Sequence, residues 1–480
     1  MKRSFATIIL LAFILPGLAI NFNGVSPNIS KAGKEVAVIV EVKRIRSLNL
    51  QNDSVYLKVF INGQDSVWWR QIFKGMDIWP EWAFAYNVVE YEENKEIPIQ
   101  IELWRKGIID QPCDISPQKG RYLYGKTLTL FYNLTSGEWR GDDWLGDGSG
   151  YGHAGGHEDG NYDENDYEIW FDIYEEGSTD GWWGGGDRMT PWEKAKYGLN
   201  ESMEYGNVDI DGDGIPSDWE DKYGYNPVVP EDHKHLDPDN DGLDNVEEYL
   251  TSKWLSDPFC PDVFLEIDFM KAKYPWQKDY VLPKRSQEMI VSAFTKHNII
   301  LHIDDGRMGG GGDLIPFDDK MYGDELIAAR EKYFLNGDIN NWKRGVFHYG
   351  IMCCQMGWAG RPAGGRMFYI DSFCIGVQYV RNWLWMIKLQ GSDYETALAS
   401  VTMHELGHTL GLMDFDGIDN ESTRFPWSKG YYVWKNYESC MNYRYVYKLV
   451  DYSDGDDSDH DQNDWEVIRE RLPRFQGDWW

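Results

Sequence analysis

The chain has 480 residues, too many for one ordinary core, so two to four domains are expected. It is 42% hydrophobic and 15% aromatic, with 23 Trp, which is ample material for folded cores. A net charge of -32 excludes nucleic acid and anionic membrane surfaces as partners, because both would be repelled.

Residues 1–20, MKRSFATIILLAFILPGLAI, place Lys2 and Arg3 before a short apolar run, with small residues near Gly17 and Ala19. That is the pattern of a secretory signal peptide, and it implies a secreted or cell-surface protein. Pro16 interrupts the run and no second segment is long enough to span a bilayer, so stable membrane insertion is not expected. Six cysteines permit disulfides in an exported chain without fixing a pairing. Sequons at Asn52, Asn133, Asn200 and Asn420 fit an extracellular surface.

Residues 21–187 read as an all-β sandwich. EVAVIVEV, DSVYLKVFING, KEIPIQIELW and GKTLTLFYNL are alternating or β-branched runs separated by polar turns, and DENDYEIWFDIYEE adds a further strand. His153 and His157 (HAGGH) are flanked by glycines and are expected in a flexible surface loop. Together, the strand succession, INGQ, CDISP and the DENDYEIWFDIY ending resemble C2-type β-sandwich domains. In that family acidic loops bind calcium; Asp110 and Asp114 are either such a site or a solvated loop. Whether the region is a propeptide, a targeting module or a permanent domain stays open.

Residues 188–258 form a small helical connector with two acidic loops. NVDIDGDGIPSDWE and LDPDNDGLDNVEE both carry the spacing D-x-D-x-D-G-x5-E. In the first loop the expected calcium ligands are Asp209, Asp211, Asp213, the carbonyl of Ile215, and Glu220. In the second they are Asp237, Asp239, Asp241, the carbonyl of Leu243, and Glu248. Calcium takes six to eight oxygens in loose geometry, which alternating carboxylates, one carbonyl and a closing glutamate supply. The loops resemble EF-hand-like loops, including those of dockerins and type 3 thrombospondin repeats. A structural role for calcium is expected.

Residues 259–480 alternate strand and helix and predict a C-terminal α/β (α+β) domain. DVFLEIDFM, NIILHID, HYGIMCC and GRMFYIDS are expected strands; RSQEMIVSAFTKH, DELIAAREKYF and DYETALASVTMHELGHTLG are expected helices. Asp304–Asp313 (DDGRMGGGGD) is expected to be a flexible loop that borders the cleft. DGDDSDHD reads as a solvated acidic loop, and Asp464 as the N-cap of a final helix.

Within HELGHTLGLMD, His404 and His408 stand at i and i+4 on one helical face, the spacing that presents two imidazoles to one zinc ion. Glu405 is placed to act as general base toward an activated water. Gly411 allows a left-handed helix end, after which the chain can return and bring Asp414 to the metal as third ligand, with Asp416 the competing residue. The pattern H-E-x-x-H-x-x-G-x-x-D resembles the metzincin clan of zinc endopeptidases, in its minority variant with aspartate in place of the third histidine, as in snapalysins. The resemblance implies zinc-dependent cleavage of a protein or peptide substrate. It also implies a methionine turn at Met441 beneath the metal, and at Tyr443 either an oxyanion donor or a core aromatic. HYGIMC resembles the strand region before the active-site helix and is expected to line the cleft, with His348 structural. A calcium-dependent surface or glycan-binding protein with a non-catalytic protease fold is the alternative, and a zinc hydrolase of another substrate class is a third.

Overall fold

Alternation sorts the N-terminal strands into inward and outward faces. In β2 (Asp53–Ile61), Val55, Leu57, Val59 and Ile61 are buried while Tyr56, Lys58 and Phe60 are more open. The same period buries Ile97, Ile99, Ile101 and Leu103 of β3 (Glu96–Arg105) and Leu128, Leu130 and Tyr132 of β4 (Leu128–Asn133). These strands form one antiparallel sheet. A second antiparallel sheet joins β1 (Glu35–Ser47), β5 (Gly152–Gly155) and β6 (Tyr167–Glu175), and the two sheets enclose a single apolar core. The computed structural model describes residues 35–48, 53–67, 71–80, 83–119, 126–143, 152–159, 165–175, 191–200, 203, 205–306, 310–358, 361–455 and 460–476. The signal peptide and the sequon at Asn52 lie outside them.

Strand β6 is buried along its whole length, because its second face meets the rest of the chain. Trp170 packs with Leu255, Cys260 and Ile300 from beyond the sandwich. Arg46 and Glu168, both fully buried, pair through Nε and Oε2 at 2.6 Å, and Arg46 also donates to Thr295 at 3.3 Å. Burial alone would raise the Glu168 carboxyl; Arg46, with His153, holds it below the ordinary range. HAGGH is therefore not a surface loop. His153 stacks on Trp170 at 4.4 Å and His157 is buried beside it, its imidazole pushed down to about 4 by desolvation. Glycine neighbours suggest a mobile loop, but here they admit close approach between strands.

In the connector, α1 (Ser217–Lys222) and α2 (Asn245–Thr251) each follow an acidic loop. Asp244 caps α2 by accepting from the amides of Val246 and Glu247, and Glu247 returns a bond to the Asp244 amide.

The C-terminal sheet runs in the order β8 (Ile300–Asp304), β7 (Asp262–Met270), β9 (Phe347–Cys353), β11 (Ser372–Gly376), β10 (Gly365–Tyr369). All neighbours are parallel except β10, which pairs antiparallel with β11 at the edge. Helices α3 (Lys284–Thr295) and α4 (Tyr394–Thr409) pack together on it, joined by Arg285–Asp393 at 2.8 Å and by Ser286 Oγ donating to Glu395 O at 2.7 Å. The final helix, α5 (Asp464–Gln476), is capped by Asn463, which accepts from the Glu466 amide at 3.0 Å. Asp464 instead turns inward to accept from the Tyr437 hydroxyl, so the expected cap serves as a buried tie. All six cysteines are buried thiols. No helix among the described residues is long and apolar enough to cross a membrane.

Removing Arg46 leaves Glu168 charged and buried without its main partner. Arg46→Ala is expected to cost about 3–5 kcal/mol in urea unfolding. An unchanged midpoint and slope would show that the junction does not depend on this pair.

Candidate functional site

Helix α4 is built for burial rather than for a solvent face. Asp393 caps it by accepting from the Thr396 amide at 2.8 Å, and Ala397, Leu398, Val401, Met403 and Leu406 are all buried. His404 and His408 sit one turn apart at its C-terminal end, ring centroids 4.9 Å apart. His404 Nδ1 bonds to the Cys440 carbonyl at 2.8 Å and His408 Nδ1 to the Leu412 carbonyl at 2.9 Å. A carbonyl can only accept, so both Nδ1 atoms carry a proton, and the Nε2 atoms are the ones left to face a proton-sharing partner or a cation. These Nε2 atoms point to the same carboxylate, 3.0 and 3.3 Å from the two oxygens of Asp419.

Asp419, rather than Asp414 or Asp416, completes the cluster. Gly411 ends the helix with φ +93°, a left-handed turn that a Cβ would oppose. Arg471 of α5 then donates to the Gly411 carbonyl and pairs with Asp414 at 3.1 Å, turning that carboxylate outward, 81% exposed. Asp416 is exposed as well. The chain continues through a turn in which the Ile418 amide donates to Phe415 O, and Phe415 packs on Trp434 and Tyr437. Asp419 adopts φ +54° and its amide donates to the Met441 carbonyl at 3.3 Å. An aspartate tolerates that conformation better than most residues, and it aims the carboxylate back at the histidines.

Met441 is fully buried under the helix; a Cβ at Gly407 would come within 2.7 Å of its sulfur. Tyr443 stacks on His404 at 5.8 Å and its hydroxyl donates to Asp419, while the Arg424 guanidinium lies 4.5 Å over its ring. Burial and the Asp419 charge raise the Tyr443 phenol, so it stays protonated and able to donate. Glu405 is buried against the edge strand: the Met367 amide donates to it, and a Cβ at Gly365 would lie 2.6 Å from its Oε1. Desolvation raises the Glu405 carboxyl against the opposing pull of both histidines. Desolvation lowers His404, but Asp419 and Glu405 outweigh it and lift the imidazole to about 9. A proton and a cation compete for that Nε2. The strand beside the site is therefore β10, whereas β9 (HYGIMC) is central in the sheet and wholly buried. His348 is fully buried there and lowered to about 3 by desolvation.

Both acidic loops gather their carboxylates. Asp209, Asp211 and Asp213 form one group and Asp237, Asp239 and Asp241 another. Asp209 accepts from the amides of Gly212 and Gly214, and Asp237 from those of Asp241 and Gly242. The closing glutamates, Glu220 on α1 and Glu248 on α2, are buried with neither oxygen hydrogen-bonded. Desolvation, then neighbouring aspartates, lifts Glu220 to about 8 and Asp239 to about 11. Each loop thus gathers carboxylates that could hold a metal ion. The side chains of Ile215 and Leu243 anchor the loops in apolar clusters. Asp110 is held by Lys106 at 2.9 Å and by Tyr56, and Asp114 is buried and bonded to the Ser116 amide; the structure does not bring the two together as a metal group. In the Asp304–Asp313 segment, Asp304 accepts from the amides of Gly310 and Gly311; residues 307–309 of the expected flexible loop lie outside the described residues. Residues 456–459 of the final acidic run lie outside the described residues.

Two contributors escaped the sequence pattern: Asp419 at the histidine cluster, and His233, which joins Asp213 and Glu220. The only sequence trace of Asp419 is a turn-forming Asp-Asn pair two residues after Gly417. No family model matches the chain, and no curated protein matches it. Among solved structures it matches one described as "Structure of a C2 domain", with 11% sequence identity and a TM-score of 0.17, covering 29% of this chain and 98% of that one.

Asp419→Ala is expected to weaken retention of a divalent cation by more than the roughly 10–100-fold typical of losing a supporting partner. Asp414→Ala should leave retention near wild type; metal analysis after dialysis reads both, and the reverse ranking would return the third position to Asp414. The loops predict a pH effect. Because the folded pKa of Glu220 is raised from 4.5 to about 8, its contribution is full below about pH 4.5 and is lost as pH rises through about 8. Chelator-treated protein should thus melt at falling temperature across that window, and added Ca²⁺ should remove the fall, since the cation takes the ionised form. A melting temperature that rises with pH in chelator would contradict this.

Proposed function

We propose that the protein is an exported, zinc-dependent endopeptidase of metzincin-like type, with calcium held in the connector loops as a structural ion. The observation that carries it is the convergence of His404 Nε2, His408 Nε2 and an Asp419 carboxylate beside a buried Glu405. Two imidazoles and one carboxylate are a competent zinc donor set, and carbonyl-fixed Nδ1 atoms orient the rings for it. When bound there, zinc supplies a Lewis acid that activates water and polarises a carbonyl.

The chain's own residues supply the rest. Glu405, raised by burial, accepts a proton from the attacking water and afterwards gives it to the leaving amine. Tyr443, protonated and next to Asp419, is placed to donate to the oxygen of the scissile carbonyl. Strand β10 is at the sheet edge with its antiparallel partner on one side only, so its open backbone can align an extended peptide beside Glu405. The third donor at Asp419 departs from the spacing that the metzincin resemblance implies. The set of two histidines and one carboxylate is kept while its loop is longer. The N-terminal pattern supports export, and the N-terminal sandwich, C2-like in its strand succession, shares a buried junction with the catalytic half through Arg46–Thr295 and the packing of Trp170, as a permanent domain would.

Glu405→Gln keeps the shape of the site and removes the base. Casein hydrolysis is expected to fall by about 10²–10⁴-fold with zinc content unchanged. Wild-type activity should vanish in chelator and return with zinc. Full activity in Glu405→Gln would refute the mechanism; bound zinc with no hydrolysis of any peptide would favour the calcium-dependent binding protein instead.

A further inference from the structure

His233 lies thirteen residues beyond Glu220, the last member of the first acidic loop, and belongs to no part of its motif, yet it is buried against that loop, 1% exposed. Its Nε2 has no hydrogen-bond partner and stands 3.3 Å from Asp213 Oδ2, 3.8 Å from Glu220 Oε1 and 3.8 Å from Glu231 Oε2. Oδ2 of Asp211, both oxygens of Glu220 and Oε2 of Glu231 are likewise buried without donors. A single N–H can serve one of these oxygens, so a protonated imidazole leaves most of the cluster unsatisfied. A multivalent cation serves them all, and a nitrogen among them then acts as a ligand.

The surroundings prepare His233 for that role. Tyr225 meets its ring edge-on at 4.9 Å and Trp219 at 6.3 Å, which fixes the plane. Its Nδ1 is 2.9 Å from the Asn245 side-chain amide, on the helix that follows the second loop. Asn245 is fully buried and its Oδ1 has no partner. Turning that carboxamide by half a turn places Oδ1 on an Nδ1–H and frees Nε2 as a lone-pair donor, satisfying both groups at once.

We propose that the first loop is a mixed nitrogen–oxygen metal site, with His233 and Glu231 joining Asp213 and Glu220, that takes a divalent first-row metal ion such as Zn²⁺, Co²⁺ or Mn²⁺. The second loop, built of carboxylates alone, keeps the hard-cation chemistry of calcium. The proposal rests on the two loops being cation sites. Imidazole raises affinity for first-row metals without helping Ca²⁺, so the two loops differ in kind although their motifs match.

The test uses the full chain carrying His404→Ala and His408→Ala, which removes the helix site, with Ca²⁺ present for the second loop. Pulsed EPR of one bound Mn²⁺ is expected to show imidazole nitrogen coupling. His233→Gln should abolish that coupling and weaken Mn²⁺ and Co²⁺ binding by about 10–100-fold while leaving Ca²⁺ at the second loop within about twofold. Mn²⁺ bound without nitrogen coupling overturns the proposal even if His233→Gln fails to fold. Ca²⁺ at both loops with no nitrogen signal ends this inference alone; no cation at either loop ends it together with the cation-site reading.

Discussion

Glu168 and Glu248 are carboxylates buried at two junctions of the fold, and Asp419, half-exposed, stands at a third. Taking a carboxylate out of water costs several kcal/mol unless something positive or hydrogen-donating meets it. Arg46 meets Glu168 within the sandwich and, through its bond to Thr295, ties that buried pair to the C-terminal half. His404 and His408 meet Asp419 and fix the return of the chain after helix α4. Glu248 and its neighbours in the second loop have no cationic side chain against them among the described residues, and the proposed metal ion is what would take that part. A chain with net charge -32 must solve this problem repeatedly, and the solutions coincide with the places where its parts meet.

The second loop shows how tightly the junctions are linked. Asp241 accepts from the Asp262 amide at 2.7 Å, and Asp262 begins β7 of the C-terminal sheet. Asp262 also bonds to His302 on β8 at 2.5 Å. The acidic loop is thus continuous with the strands that carry the core, and the state of the loop bears directly on the sheet's edge of entry. At the far side of the same sheet, β10 supports Glu405 and the Met441 turn supports the histidine-bearing helix. The candidate site is a product of packing on both its faces, which suits a constellation that must hold its groups within a fraction of an ångström.

Much of the architecture was legible before any coordinates. Strands β2, β3 and β4 announce themselves by period-two alternation, and DVFLEIDFM by apolar residues at both odd and even positions, interrupted only by Glu266 and Asp268, as suits a strand covered on both sides. Strand β6 has the opposite lesson. Its charged and aromatic outer residues, Glu168, Trp170 and Asp172, look like a solvated face, and are buried because a second domain covers them. HAGGH departs from its expected surface loop for the same reason: glycines that permit mobility also permit close packing, and sequence does not say which.

The sequence by itself determined the local chemistry: two imidazoles one turn apart beside a glutamate, and two loops whose carboxylates alternate toward one point. These depend on spacings of a few residues along one helix or turn, where backbone geometry leaves little freedom. Only the tertiary structure decided which distant groups complete them. Asp414 has the expected spacing, but Arg471 from the final helix draws it outward, and the hydrogen bond between Asp419 and Met441 brings the later aspartate in. His233 reaches the first loop because Trp219, Tyr225 and Asn245 close around its ring. Contacts between remote segments are set by how whole elements pack, and no short pattern carries that information.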